Sequence, residues 1–432
     1  MNLLDARTVP ADPVSVQRLR EAGLEYRIAD MDDVRIATAF ARADARGFLD
    51  SDPGEEQLAR MRTMWLSRRN IGVYEADAAH ASLPVATVNS WVTPMTVPGG
   101  EIPMWAISSV TVAGTHRRRG IARGLLEGEL RAAAAAGVPI AGLTATEATI
   151  YGRYGFAPAV QVARVSVDTR RSGWTAAPTP GRLEYLERPE LAAELGAVHE
   201  RSRIARSGQI PGWDARWARI AGLTEGEGKG TEVRGVCYRD AEGAVRGAIA
   251  YSLKQQPDGF RFTLSIGHLE AETDEALRAL WGFAVNHDLV SRVDVDLRPL
   301  DDPILHLVAD QRAVEFTVHD HGWLRILDVP SALQARRYDA AVDAVLRIDD
   351  PYGFAAGTWR LRIGTEGDAS VEAVDAEGDV AMGAAELSAV YAGSVPLSQL
   401  AAAGRVRGDQ RTIGALTRSF LAHPAPLLGI WY

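Results

Sequence analysis

The stretch at 110–137, VTVAGTHRRRGIARGLLEGELRAAAAAG, restricts the fold more than any other part of the chain. It follows an alternating run, MWAISSVTV at 104–112, that reads as a strand. Ile121, Leu125 and Leu130 then recur on one helical face, and Gly137 followed by Pro139 stops the helix. Between strand and helix stand Arg117, Arg118, Arg119 and Gly120. A helix N-terminus leaves backbone N–H groups unpaired and carries partial positive charge. Gly120 and the small Ala122 let an anion approach that backbone, and arginine adds fork-shaped donors. The pattern predicts a phosphate site. There is no lysine to complete G-x-x-x-x-G-K-[ST], and the G-x-G-x-x-G spacing is absent, so neither a P-loop nor a Rossmann turn is encoded.

A basic loop stands out because the chain of 432 residues has a formal net charge of −9. That balance argues against nucleic acid and favours cationic small molecules as partners. The single cysteine, Cys237, lies in a strand-like run and rules out an intrachain disulfide or a cysteine-based metal site. His319 and His321 are the only close histidine pair, and no third ligand stands at a recognisable spacing, so no metal is expected. The N-terminus lacks a basic start and an apolar core, and no run is long enough to span a bilayer. A soluble, cytoplasmic protein without membrane insertion is expected.

The length asks for several domains. Segment 1–165 alternates strands and helices of an α+β kind. Segment 166–325 opens after a Pro- and Gly-rich linker. It holds a hairpin turning at DAEG (240–243), a strand FRFTLSIGHL, and a helix capped by Thr273. Segment 326–432 reads as a further α+β unit with strands AVLRIDD, GTWRLRIG and ASVEAV and two helices.

The spacing Arg117-x-x-Gly120-x-Ala122 after a strand resembles the coenzyme A pyrophosphate loop of GNAT N-acetyltransferases. ATIYGRYGF (148–156) is similar to their A-x-x-[FY]-Y-x-x-x-G-F stretch, in which a tyrosine sits near the coenzyme A sulfur. Together with GWLRILDVPSALQARRY and the final aromatic, these motifs resemble the actinobacterial Eis (enhanced intracellular survival) family over essentially the whole chain. The resemblance implies tandem GNAT folds, the second degenerate, followed by a sterol-carrier-protein-like domain, assembled as a homohexamer. It implies acetyl-CoA as co-substrate, with no metal. The co-substrate would be held by Val110, Thr111, Val112, Arg117, Arg118, Arg119, Gly120, Ile121, Ala122, Arg123, Thr146 and Glu147. It also implies transfer to amines of aminoglycosides or similar polyamines, a route to antibiotic resistance. A protein-lysine or arylalkylamine acetyltransferase, and a lipid- or sterol-binding carrier on the same scaffold, are the alternatives.

Tyr151 matches the family's general acid: a phenol is protonated at neutral pH and can protonate a departing thiolate. In the family the terminal carboxylate, here that of Tyr432, acts as base toward the amine. The apolar ending PLLGIWY fits an anchored end, whereas chain ends are ordinarily polar and frayed. Phe48, Asp320 and Trp431 are the expected substrate-pocket residues. The prototype's histidine in the strand before the tyrosine is Thr144 here, and its penultimate acid is Trp431. In the second segment, GHLEAETDEAL places four acids and no arginine at the matching strand-to-helix loop, where like charge would repel a pyrophosphate. No coenzyme A is expected there.

Overall fold

The computed structural model describes residues 3–75, 81–224, 230–257 and 259–432. Twelve strands form one continuous sheet. The first six are β1 (Glu25–Ile28), β2 (Arg69–Tyr74), β3 (Ala86–Val97), β4 (Gly100–Val112), β5 (Ile140–Thr144) and β6 (Ala157–Asp168). The second six are β7 (Arg182–Leu186), β8 (Arg234–Arg239), β9 (Val245–Gln255), β10 (Phe262–Ala271), β11 (Val290–Arg298) and β12 (Val314–Ile326). Their spatial order is β1-β2-β3-β4-β5-β12-β6-β11-β10-β9-β8-β7.

The order reads the same from either end once the two halves are matched. In the first half β5 pairs with β12, which is encoded by the second half; in the second half β11 pairs with β6, encoded by the first. β6 and β12 themselves form a long antiparallel pair at the centre. Each half therefore lends the other a strand.

Local sequence places the helices that flank this sheet. The helix Ile121–Ala135 matches the predicted one and buries Ile121, Leu125, Leu126 and Leu130. It also buries Glu129, whose carboxylate accepts from Arg69 Nε at 3.2 Å, Trp105 Nε1 at 3.1 Å and Ser90 Oγ at 2.5 Å. A charge inside the core persists only when so paired. The helix Asp274–Val285 is its counterpart in the second half, and Thr273 caps it by accepting from Ala276 N. Cys237 is buried in β8, as its setting suggested.

The third segment builds a five-stranded sheet from β13 (Val342–Asp349), β14 (Gly357–Ile363), β15 (Ala369–Ala373), β16 (Val380–Gly383) and β17 (Val406–Gly408), ordered β15-β14-β13-β16-β17. One apolar core runs through all three segments: Met104 and Ala106, Leu191 and Ala248, and Leu346 and Leu387 belong to it. A buried ion pair fastens the third segment to the first two. Arg325 Nη2 donates to both oxygens of Asp350 at 2.7 Å, and its Nε donates to Tyr154 O at 2.9 Å.

Burial alone would raise the Asp350 pKa, but the Arg325 hydrogen bonds outweigh it and hold the carboxyl below its ordinary range. Removing one partner of a buried pair strands the other. Asp350→Asn should therefore cost on the order of 3 kcal/mol, read from urea unfolding at pH 7. Because the folded-state pKa is depressed, this stabilisation is present above the unfolded pKa and is lost as pH falls through the folded one. The gap between wild type and variant should narrow on acidification.

Candidate active site

β4 and β5 run parallel only from Met104/Ile140 to Ala106/Gly142. Beyond that they part. A register shift between Thr87 and Asn89, with Ser109 held at φ 53°, turns β4 away from its neighbour. The edge of β4 from Ser108 onward has no strand partner on the β5 side, so its backbone groups face open space.

A groove of about 680 Å3 occupies the parting. Val110, Thr111 and Val112 form one wall; Arg117, Arg118, Gly120, Ile121, Ala122 and Arg123 line the helix end; Thr146, Glu147 and Tyr151 close the other side. Gly120 is the N-cap of the helix Ile121–Ala135 with φ 77°, a left-handed conformation that disfavours a side chain. No side chain caps this helix, and its first turn holds no acid. Its orphan N–H groups are thus available to an anion.

The three arginines divide. Arg118 adopts φ 62°, and the backbone twist there sends its neighbours in different directions. Arg117 and Arg118 line the groove. Arg119 instead pairs with Glu75 at 3.1 Å, outside the groove lining. Arg123 lines the groove while pairing with Glu127 at 2.5 Å.

Tyr151 ends the short helix Ala148–Tyr151 and is buried, edge-on to Phe156 with ring centroids 6.3 Å apart. Burial, reinforced by the nearby Glu147 charge, raises its pKa. Its hydroxyl is therefore a proton donor throughout the neutral range.

The last residues reach the same place from the far side. Gly429 N donates to Gln209 Oε1 at 2.9 Å, Ile430 O meets His321 Nε2 at 3.0 Å, and Trp431 O accepts from Arg216 Nη1 at 3.1 Å. The Tyr432 main-chain oxygen accepts from Thr144 Oγ1 at 2.8 Å, at the end of β5. The Tyr432 ring meets Trp91 of β3 edge-on at 5.5 Å. The side chain is half-buried, and desolvation raises the phenol's pKa. Thr144, where the family prototype has histidine, thus holds the terminal residue.

The three expected pocket residues are dispersed. Phe48 lines the groove beside Val110 rather than a separate acceptor pocket. Asp320 accepts from Trp323 Nε1 at 2.7 Å and is committed to that contact on β12. Trp431 packs edge-on against His321 at 4.4 Å and borders a cleft of the second half. The sequence carries no local signal for Arg216 and Gln209, and marks His321 only as half of a histidine pair, because all three act on a segment more than a hundred residues downstream.

The second half repeats the parting of strands. β10 and β11 pair in parallel only as far as Ile266/Val295, and Leu297 takes φ 55°. Here, however, Arg298 bridges the gap: its Nη1 donates to Leu269 O at 3.0 Å and its Nε to Asp302 at 2.7 Å. His199, His268 and Glu270 cluster beside it, with His199 Nδ1 2.8 Å and His268 Nε2 3.1 Å from Glu270 Oε1. His199 Nε2 also meets Ile210 O at 2.9 Å. Two acceptors flank the imidazole, and despite the opposing effect of burial its pKa is raised. Glu270 thus accepts hydrogen bonds from both histidines. Among the described residues no helix is long and apolar enough to cross a membrane.

Comparison with known proteins agrees with this geometry. Residues 26–159 and 208–326 each match the acetyltransferase (GNAT) domain, and 329–429 match the sterol carrier protein domain. An uncharacterized N-acetyltransferase of Streptomyces avermitilis is 33% identical, with 88% of this chain and 93% of that protein covered. N-acetyltransferase Eis of Mycobacterium tuberculosis is 34% identical over 76% of this chain and 80% of its own length. The crystal structure of Eis1 from Mycobacterium abscessus superposes with a TM-score of 0.78 at 26% identity, covering 95% of this chain and all of that one. Two GNAT folds and a sterol-carrier-like domain, in that order, thus place the chain in the Eis family of N-acetyltransferases, enzymes that take their acetyl group from acetyl-CoA.

Proposed function

We propose that the first GNAT unit moves acetyl from acetyl-CoA directly to a primary amine, with Tyr151 as general acid and the Tyr432 carboxylate as general base. The observation that carries this is the Thr144–Tyr432 hydrogen bond, two residues from Thr146 in the groove that also contains Tyr151. Acid and base then approach the parting of β4 and β5 from opposite sides.

The groove fits the co-substrate. Arg117, Arg118 and the N–H groups from Ile121 onward would receive the pyrophosphate, and the open edge of β4 would receive the pantetheine chain. Acetyl-CoA, when bound, supplies the thioester. A free N–H of the β4 edge polarises its carbonyl. The carboxylate attracts the ammonium and takes its first proton, directly or through water; the nitrogen forms the N–C bond as the C–S bond breaks; Tyr151 gives its proton to the leaving thiolate, and the second proton shed by the nitrogen restores the phenol through solvent.

Within this reading the chain divides into 1–165, 166–325 and 326–432. Arg298 and the four acids keep coenzyme A out of the second unit. The reading includes a cytoplasmic homohexamer, which the family resemblance supports. Aminoglycosides are the expected acceptors; among the described residues lining the cavity between the two GNAT units, no side chain is a carboxylate.

Thiol release from acetyl-CoA with a panel of amines tests the reading. Arg117→Ala should raise KM for acetyl-CoA about tenfold with little change in kcat, as expected for loss of one charge-assisted contact. Arg119→Ala should stay within about twofold, because that side chain is spent on Glu75. Equal effects of the two changes, or no turnover with any amine, would sink the assignment.

A further inference from the structure

A cavity of about 520 Å3 opens where the helix Glu55–Trp65 and the segment 211–215 face β3. Met64, Trp91, Pro211 and Trp213 give it apolar and aromatic walls, so both GNAT units build it. Trp91 is also the residue whose ring meets Tyr432, which joins the cavity to the base. In the sheet, Trp91 stands opposite Ala106 and Asn89 opposite Ser108, where β4 begins to turn away.

Its charge is the reverse of what a polyamine needs. Arg60 and Arg68 line it, and among the described residues lining it none is acidic. Arg68 is only 8% exposed. Its guanidinium lies 3.8 Å from the Trp91 ring centre and 5.9 Å from that of Trp213. Nη1 donates to the neutral amide of Asn89 at 3.1 Å. Among the described residues this is its one side-chain hydrogen bond, and no carboxylate forms an ion pair with it. A guanidinium carries five N–H donors, so most of its capacity is unspent.

Burial lowers the Arg68 pKa to about 10, which leaves it charged at neutral pH. The acid that acts on it is Asp44, which burial raises to about 7 and whose Oδ1 has no hydrogen-bond partner. Asp44 therefore supplies only part of a counter-charge. A buried cation without a full partner is costly to keep.

We propose that the acceptor is an aromatic amine carrying a carboxylate: its ring packs on the apolar wall of Met64, Pro211 and Trp213, its carboxylate docks on Arg68, and its amine reaches Tyr432. This rests on the acetyltransferase reading of the groove and adds the acceptor class to it. Arg–carboxylate pairing supplies the anchor, and the apolar wall supplies the contact for the ring.

The test uses the full-length protein and three probes: 4-(aminomethyl)benzoate, 4-methylbenzylamine, which lacks the carboxylate, and kanamycin, a polycation. The carboxylate probe should exceed 4-methylbenzylamine in kcat/KM by tenfold or more, with kanamycin the poorest. In Arg68→Gln and Arg68→Met the ratio between the two benzylamines should fall to about one. The KM for acetyl-CoA, read in the same assays, reports whether each variant has folded. Calorimetric titration of 4-(aminomethyl)benzoate into wild type and Arg68→Gln reads docking without turnover. If none of the amines is acetylated, the acetyltransferase reading fails, and loss of calorimetric binding in the variant still upholds Arg68 as the anchor. A preference for kanamycin, or a benzylamine ratio unmoved by Arg68→Gln, overturns the proposal.

Discussion

Tyr151→Phe is expected to lower kcat about a thousandfold while leaving KM for acetyl-CoA within a few-fold. General acids of this kind contribute 10²–10⁴. The hydroxyl is the only group removed, so the edge-on packing against Phe156 survives, and fold stability should change little. The assignment also fixes a pH signature. Because burial raises the phenol's pKa, wild-type kcat should not fall on the alkaline side until beyond the ordinary tyrosine range. In the variant the thiolate must leave unprotonated, and that alkaline limb should vanish. Stopped-flow thiol release from pH 6 to 10.5 distinguishes the two. A variant within tenfold of wild type would move the acid elsewhere, and Tyr154, buried three residues away, would be examined next.

Appending Gly-Ser after Tyr432 should cost at least a hundredfold in kcat. The change turns a carboxylate into an amide, which neither attracts an ammonium nor takes its proton. It also forces the chain past the hydrogen bond from Thr144. Tyr432→Phe is the partner experiment. Desolvation raises the pKa of the tyrosine's own phenol, and the proposed proton transfer assigns it no role. Its loss should therefore cost less than tenfold. If both changes were equally harmful, the ring's packing on Trp91 would be what matters, and the base would have to be another group.

The groove was legible because its determinants are local. The strand, the Gly120 turn and the helix stripe lie within thirty residues, and the helix predicted at 120–137 is found at Ile121–Ala135. Arg119 shows where such reading stops. Three adjacent arginines are equivalent in sequence, but a left-handed Arg118 and a glutamate at position 75 separate them in space. Glu129 left a faint trace, as a charge four residues from Leu125 on the apolar stripe, but its partners Arg69, Ser90 and Trp105 come from three strands. The acceptor cavity was hidden for a similar reason. Trp213 reaches Arg68 and Trp91 only after the two halves dock. For Asp320 the family resemblance gives a pocket position, and the contact of its Oδ2 with Trp323 Nε1, three residues on, is set by the geometry of β12.

The reciprocal loan of β6 and β12 bears on how such a protein is made and how it can change. The ribosome delivers β5 long before β12, so the catalytic unit cannot finish its sheet during its own synthesis and must wait, with an open edge, for the other copy. Such non-local pairing slows folding and raises the demand for chaperones. It also gives the second GNAT unit a structural role in the first. A deletion that removed it would take the central strand of its active sibling with it. Gene duplication here has produced a lodger that has become part of the walls.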